Sequence, residues 1–275
     1  MQTRPAPLIM GVLNVTPDSF SDGGQFYAKG AALQHAEKLV QEGADIVDVG
    51  GESTRPGAQS VSLQEEMDRV LPIVEAIQST VQTRISVDTR KFEVAREAVR
   101  AGASIINDIS GGSDVRLLEL MRQSQATLVM MHMRGNPENM QVEPTYPKGV
   151  TSEVRAFLAE RVRAFREAGI SKDRLWVDPG IGFGKTLPHN LELLHSLKDL
   201  SAVGGRLVIG TSRKSMFAAL SGDPKLPIEA REPGTLATNL WAYAQGASVF
   251  RVHDVLAFKR ALLAWTAVES AKISS

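Results

Sequence analysis

Gly43-Ala44-Asp45-Ile46-Val47-Asp48 returns, little changed, as Gly102-Ala103-Ser104-Ile105-Ile106-Asn107 and again as Gly246-Ala247-Ser248-Val249-Phe250-Arg251. In each copy a helical stretch stops at the glycine, the residue that most readily takes the left-handed conformation at a helix end. A short β-branched or aromatic run follows, and a polar residue stands five positions after the glycine every time. Equal spacing sets Asp48, Asn107 and Arg251 at equivalent depth on three strands, as a repeated helix–strand unit requires.

Working outward, further short apolar runs lie at Leu8–Leu13, Arg84–Val87, Thr127–Met131, Leu175–Val177 and Leu207–Ile209. Between them run helical patterns such as Ala31–Glu42, Leu63–Thr80, Phe92–Ala101, Ser152–Ala168 and Thr235–Gln245. Strands that are almost continuously apolar and alternate with helices argue for a parallel sheet buried on both faces. Eight such units in 275 residues predict one α/β domain over residues 1–275. The expected form is a closed (β/α)8 TIM barrel with its active site at the C-terminal ends of the strands. A doubly wound open sheet is the alternative; the lack of a G-x-G-x-x-G string after the first strand counts against its dinucleotide-binding version.

Lysine plus arginine equals aspartate plus glutamate at 31 each, with no basic stripe, so neither nucleic acid nor an anionic membrane is expected as a partner. Cysteine is absent, which removes disulfides, thiolate metal sites and thiol nucleophiles together. The Met1–Pro7 stretch lacks a signal-peptide apolar core, and no apolar run approaches the roughly 20 residues of a membrane helix. A soluble, cytoplasmic protein is expected.

The chemistry gathers at strand ends: Asn14, Asp48, Asp88, Asn107, His132, Asp178, Ser212 and Arg251. Any one of them could simply cap the following helix, but a set that includes arginine and histidine is poorly explained that way. Arg251 and His253 are two apart on a strand and point to one side. Ser212-Arg213-Lys214-Ser215 reads as opening a helix after the seventh strand, the recurrent anion site of this fold. A phosphate or pyrophosphate ligand is therefore expected, with ordinary surface basic residues as the alternative. Asp88, Asn107 and Asp178 suit a flat heterocycle bearing N–H donors and ring-nitrogen acceptors. No spacing resembles a zinc or di-metal site. Asp48 and Glu52 read as structural partners of nearby basic residues, and His35, His189 and His195 as solvated.

Eight strings, in order and across nearly the whole chain, resemble the dihydropteroate synthases: NVTPDSFSDGG from Asn14, DVGGESTRPGA from Asp48, SVDTRK from Ser86, NDISGG from Asn107, MHMRGNP from Met131, DPGIGFGK from Asp178, TSRKS from Thr211 and RVHD from Arg251. The resemblance implies condensation of a dihydropterin methyl diphosphate with p-aminobenzoate, releasing pyrophosphate, in folate biosynthesis. It implies that Asp88, Asn107, Met131, Asp178 and Lys214 hold the pterin, although plain core packing is an equal reading of Met131. Asn14, Thr54, Arg55, Ser215, Arg251 and His253 then match the pyrophosphate region, with Asn14 reaching a Mg²⁺ cofactor carried by the diphosphate. Phe20, Thr54, Arg55, Pro56, Phe183 and Ser212 match the p-aminobenzoate pocket. Asp22, Asp88, Lys214, Arg251 and His253 are the implied catalytic set, with His253 binding the anion rather than acting as base. The loops Thr16–Gln25 and Thr54–Ser60 match mobile segments that close over the site. A homodimer and sensitivity to sulfonamides are implied as well. A pterin-dependent methyltransferase and a non-catalytic pterin-binding paralogue stand as alternatives; the first has no need of TSRKS, RVHD or the TRPG loop.

Overall fold

The apolar runs become strands because both of their faces are covered, one by the barrel interior and the other by helices. The computed structural model describes residues 6–16, 25–55 and 57–271. Its strands are β1 (Leu8–Asn14), β2 (Ile46–Gly50), β3 (Arg84–Asp88), β4 (Ile105–Asp108), β5 (Thr127–Met131), β6 (Leu175–Asp178), β7 (Val208–Ile209) and β8 (Val249–Val252). All the pairings are parallel, in the order β6-β5-β4-β3-β2-β1-β8-β7. A bridge between Val177 and Leu207 joins the two ends, so the sheet closes into the expected barrel and the open-sheet alternative falls.

The helices are α1 (Gln25–Glu42), α2 (Leu63–Thr80), α3 (Phe92–Arg100), α4 (Arg116–Gln123), α5 (Val150–Glu167), α6 (Leu187–His195), α7 (Leu197–Leu200), α8 (Met216–Ser221), α9 (Glu232–Ala244) and α10 (Val255–Ser270). Helix α2 starts where Ser62 accepts a hydrogen bond from the Glu65 N–H, with Glu65 and Glu66 favourably placed in its first turn. The three repeat glycines, Gly43, Gly102 and Gly246, have φ of 104°, 111° and 99°, the positive values that make glycine the helix stop.

The register explains why the repeat spacing matters. Asp48 is laddered through Ser86 to Ile105, but strands in such a barrel are tilted, and the residue at the height of Asp48 on β4 stands two further on, at Asn107. The same step of two leads to Asp178 on β6 and Arg251 on β8, and from Arg251 through Met10 and Ile46 back to Asp48. Even-numbered strands thus place Asp48, Asn107, Asp178 and Arg251 in one layer. Two residues lower, the same strands supply Ile46, Ile105, Trp176 and Val249, and between the two layers β1, β5 and β7 insert Met10, Val129 and Val208. Ser86 on β3 completes that middle layer. The barrel is an apolar plug with a polar lid, and Arg84 and Arg206 close its lower end over the Trp176 ring at 5.3 and 5.9 Å.

Candidate active site

The polar layer is charged and buried, so its members must neutralise one another. Asp48, with no exposed surface, accepts from Arg251 Nε at 2.7 Å and from Asn107 Nδ2 at 3.4 Å. Arg251 Nη2 donates to Asp88 Oδ2 at 2.9 Å. One guanidinium therefore links two carboxylates. Burial lowers the proton affinity of Arg251, but Asp48 and Asp88 outweigh it and hold the guanidinium protonated. The sequence reading gave Asp48 only a supporting part; the structure makes it the anchor of the site floor.

Above this floor opens a narrow cleft, lined among others by Asp88, Asn107, Met131, Asp178, Lys214, Arg251 and His253. Asp88 Oδ1 is buried there without a partner among the described residues, an acceptor placed to take an N–H. Burial pushes Asp88 up to about 7, against the pull of Arg251 and with the repulsion of Asp48 added. Burial also raises Asp178, whose Oδ1 accepts from Gly180 N at 2.7 Å. Lys214 is pushed down to about 7 by burial, with Asp178 opposing, and its Nζ sits 3.9 Å from the centre of the Phe183 ring.

The turn after β7 departs from expectation. Arg213 has φ of 61°, so the chain cannot run helically from Ser212; α8 begins only at Met216, with Ser215 at its N-cap position. Two bonds hold that strained turn: Arg213 N donates to Thr235 Oγ1 at 3.2 Å, and Arg213 O accepts from Arg231 Nη1 at 3.1 Å. Ser212 turns instead to His253, its Oγ accepting from the backbone N–H at 3.2 Å and lying 2.9 Å from Nδ1. The Ser212 hydroxyl has one proton to give and two lone pairs, so it can donate to Nδ1 while accepting from the backbone; in that tautomer Nε2 carries the imidazole proton. Burial, with Arg251 and Arg213 nearby, pushes His253 down to about 3, so the ring is neutral.

Thr54 lines the cleft, whereas Arg55 and Ser215 are exposed and are not among its lining residues. Asn14 ends β1 opposite Gly50, where a Cβ would lie 3.7 Å from both Asn14 Oδ1 and Asp88 Cβ. The β2 loop is tied down by Glu52, which pairs with Arg90 at 3.0 Å and with Lys91, and by Gly57 N donating to Pro137 O at 3.0 Å. Lys91 also pairs with the buried Glu66. Phe20, Asp22 and Pro56 lie outside the described residues, as does most of the first loop expected to be mobile. Among the described residues, no three His, Asp or Glu side chains cluster to cage a metal.

Two residues escaped the sequence reading. Lys185, at 3% exposure, binds His132 Nδ1 at 3.0 Å and Phe183 O at 2.9 Å; it stands inside the DPGIGFGK string, but nothing local announces its burial. His189, expected to be solvated, caps α6 with Thr186 and meets the Tyr146 ring edge-on at 4.9 Å. His35 and His195 are exposed as expected.

Residues 10–253 match the family model for pterin binding enzyme. The dihydropteroate synthase of Escherichia coli (strain K12) is 46% identical over 266 residues, covering 97% of this chain and 93% of that protein. The Xanthomonas albilineans dihydropteroate synthase solved with 4-aminobenzoic acid superposes with a TM-score of 0.89 at 42% identity, covering 97% and 94% of the two chains. The same organism's enzyme in complex with 7,8-dihydropteroate gives 0.84 at 38%, covering 98% and 96%. With a pterin-shaped set of donors and acceptors on the lid of its barrel and a family match over nearly all of its length, the chain belongs to the pterin-binding enzymes.

Proposed function

We infer that this chain condenses (7,8-dihydropterin-6-yl)methyl diphosphate with p-aminobenzoate to give 7,8-dihydropteroate and pyrophosphate. One observation carries the reading: a buried, unpartnered carboxylate oxygen on Asp88, beside Asn107, Asp178 and Lys214, in a chain so similar to dihydropteroate synthases. Ionised Asp88 and Asp178 accept hydrogen bonds from the pterin N–H groups, and the Asn107 amide both donates and accepts. Met131 packs against the ring.

The C–O bond between the exocyclic methylene and the diphosphate breaks first, and its electron pair leaves with pyrophosphate. The cation left on the pterin is stabilised by the two carboxylates below it, preorganised by Arg251 and by the Gly180 N–H. The aniline nitrogen of p-aminobenzoate attacks the methylene, and the proton it then loses goes to the released pyrophosphate or to water. A neutral His253 presenting Nε2–H is a donor to the departing anion, and a ring held down at about 3 is a poor base near neutral pH.

Asn14, Arg251, His253, Thr54 and Arg55 form the pyrophosphate side. The bond from Ser212 to His253 favours that side for Ser212 too, and the N-cap position of Ser215 favours the p-aminobenzoate carboxylate, the reverse of their order in the sequence reading. Phe183 forms one wall for the aminobenzoate ring. Phe20, Asp22 and Pro56 keep the roles that the resemblance implies. A Mg²⁺ ion fits as cargo of the diphosphate rather than as a caged cofactor: Asn14 Oδ1 offers one ligand, and Mg²⁺ characteristically keeps phosphate oxygens and water for the rest. Such an ion would draw charge from the leaving group. A cytoplasmic homodimer completes the reading; among the described residues no helix is long and apolar enough to cross a membrane.

The test is direct. Purified protein with Mg²⁺ and both substrates should form dihydropteroate and pyrophosphate in equal amounts, with turnover suppressed by a sulfonamide and lost in Lys214→Met. Pterin binding without product would leave a non-catalytic binder, and no pterin binding would refute the reading.

A further inference from the structure

The loop after β6 is held in an unusual way. Three consecutive carbonyls each accept a side-chain hydrogen bond: Gly182 O from Gln141 at 2.8 Å, Phe183 O from Lys185 at 2.9 Å, and Gly184 O from Tyr146 at 2.7 Å. Lys185 is the buried centre of this clamp. Its ammonium has three N–H donors and three acceptors within reach: Phe183 O, His132 O at 3.3 Å and His132 Nδ1 at 3.0 Å. As an ammonium, Lys185 donates to Nδ1 and His132 is neutral with its proton on Nε2; burial pushes both groups down, Lys185 to about 7 against the pull of Asp178 and His132 to about 3. The His132 ring is fixed in turn by Phe157, edge-on at 5.1 Å, and by Tyr146 at 6.0 Å. The end of β5 is thereby tied to the one carbonyl that belongs to Phe183, whose ring carries the Lys214 ammonium on its face.

We propose that Lys185 is a positioning residue for the second substrate: by holding the Phe183 carbonyl it sets where the Phe183 ring stands, and with it the wall of the aminobenzoate subsite. The proposal rests on the assignment of Phe183 to that wall. Lys185 itself does not line the cleft. A saturated buried cation is costly to place, and a lysine there purely for packing would be replaceable by an apolar chain of the same length. The clamp gives the charge a geometric use. Asp178 and Lys214 are the charged groups facing it from β6 and the β7 loop, and Arg134 faces His132.

Lys185→Met keeps the volume and removes all three donors. The KM for p-aminobenzoate should rise about tenfold, the loss of roughly one charge-assisted hydrogen bond, while that for the pterin diphosphate changes by less than about twofold. Tyr146→Phe removes the next bond of the clamp and should move the same constant in the same direction by about threefold. A residue that only supports the fold would lower the thermal midpoint and the active fraction while leaving the ratio of the two KM values unchanged. Equal shifts of both constants, or of neither, would overturn the proposal. If Lys185→Met does not fold, Tyr146→Phe decides alone, and an unmoved aminobenzoate KM in it counts against the clamp. Failure of the unmodified protein to make dihydropteroate would instead sink the functional reading before any variant is compared.

Discussion

Replacing Asp48 with asparagine tests the floor of the site, because it changes one charge and little else. The amide oxygen of Asp48→Asn still accepts from Arg251 Nε, but the guanidinium keeps only one carboxylate partner, Asp88, at 2.9 Å. Breaking one side of a buried ion pair costs about 3–5 kcal/mol. The surviving hydrogen bond and the second carboxylate hold this case to about 3 kcal/mol, which at 2–4 °C per kcal/mol is a fall in thermal midpoint of roughly 6–12 °C. A second readout has its own sign. Asp48 is one of the charges that raise Asp88 to about 7, so its removal lets Asp88 ionise at lower pH. On the proposed function, the ionised carboxylate is the form that accepts from the pterin. Pterin affinity in the unmodified protein should therefore fall as pH drops through about 7, and in Asp48→Asn that fall should move to lower pH. Differential scanning calorimetry and calorimetric titration of the pterin across pH give both numbers. A midpoint lowered by less than about 2 °C, together with a binding profile that stays put or moves to higher pH, would refute the reasoning.

Two further outcomes follow from the same structure. Asp88 has a folded pKa of about 7 against an ordinary 3.8, so the native state binds a proton that the unfolded chain releases. That contribution to stability is complete below 3.8 and is lost as pH rises through about 7; the thermal midpoint of Asp88→Asn should decline less over this interval, and an unchanged slope would show that Asp88 is not the group responsible. On the outer surface, Leu263 (69% exposed) and Val268 (78%) share α10 with the partly exposed Trp265, and Trp241 stands exposed on α9. If these late helices form the homodimer contact, light scattering should find a dimer that Leu263→Glu converts to monomer; a monomeric parent protein would reject the assignment.

The elements legible in the sequence were those with local causes. Glycine stops followed by β-branched runs announced β2, β4 and β8, and the polar residue five positions after each glycine proved to belong to a single layer of the barrel. Helix α4 was not announced, because it is short and its N-cap position is Val115, which offers no side-chain cap. The link from Asp48 to Arg251 spans 203 positions, and no spacing rule reaches across the closure of a barrel. The turn at Arg213 was misread because a left-handed arginine carries no signature of its own; it exists only because Thr235 and Arg231 hold it. Lys185 and His189 were hidden for the same reason, since what buries them comes from the loop between β5 and α5.

A ring closed at one bridge is a ring with a weak link. Across the seam between β6 and β7, Val177 N donates to Arg206 O and Gly205 N to Leu175 O, where other strand pairs are laced along most of their length. One bank of that seam carries Asp178 and the other leads into the Lys214 turn. Opening there parts those two groups while the apolar plug beneath stays whole, so the barrel has a built-in crack whose width is also the distance between two of its proposed pterin contacts. Amide exchange should begin at this seam, and a bound pterin, spanning it, should act as the missing staple.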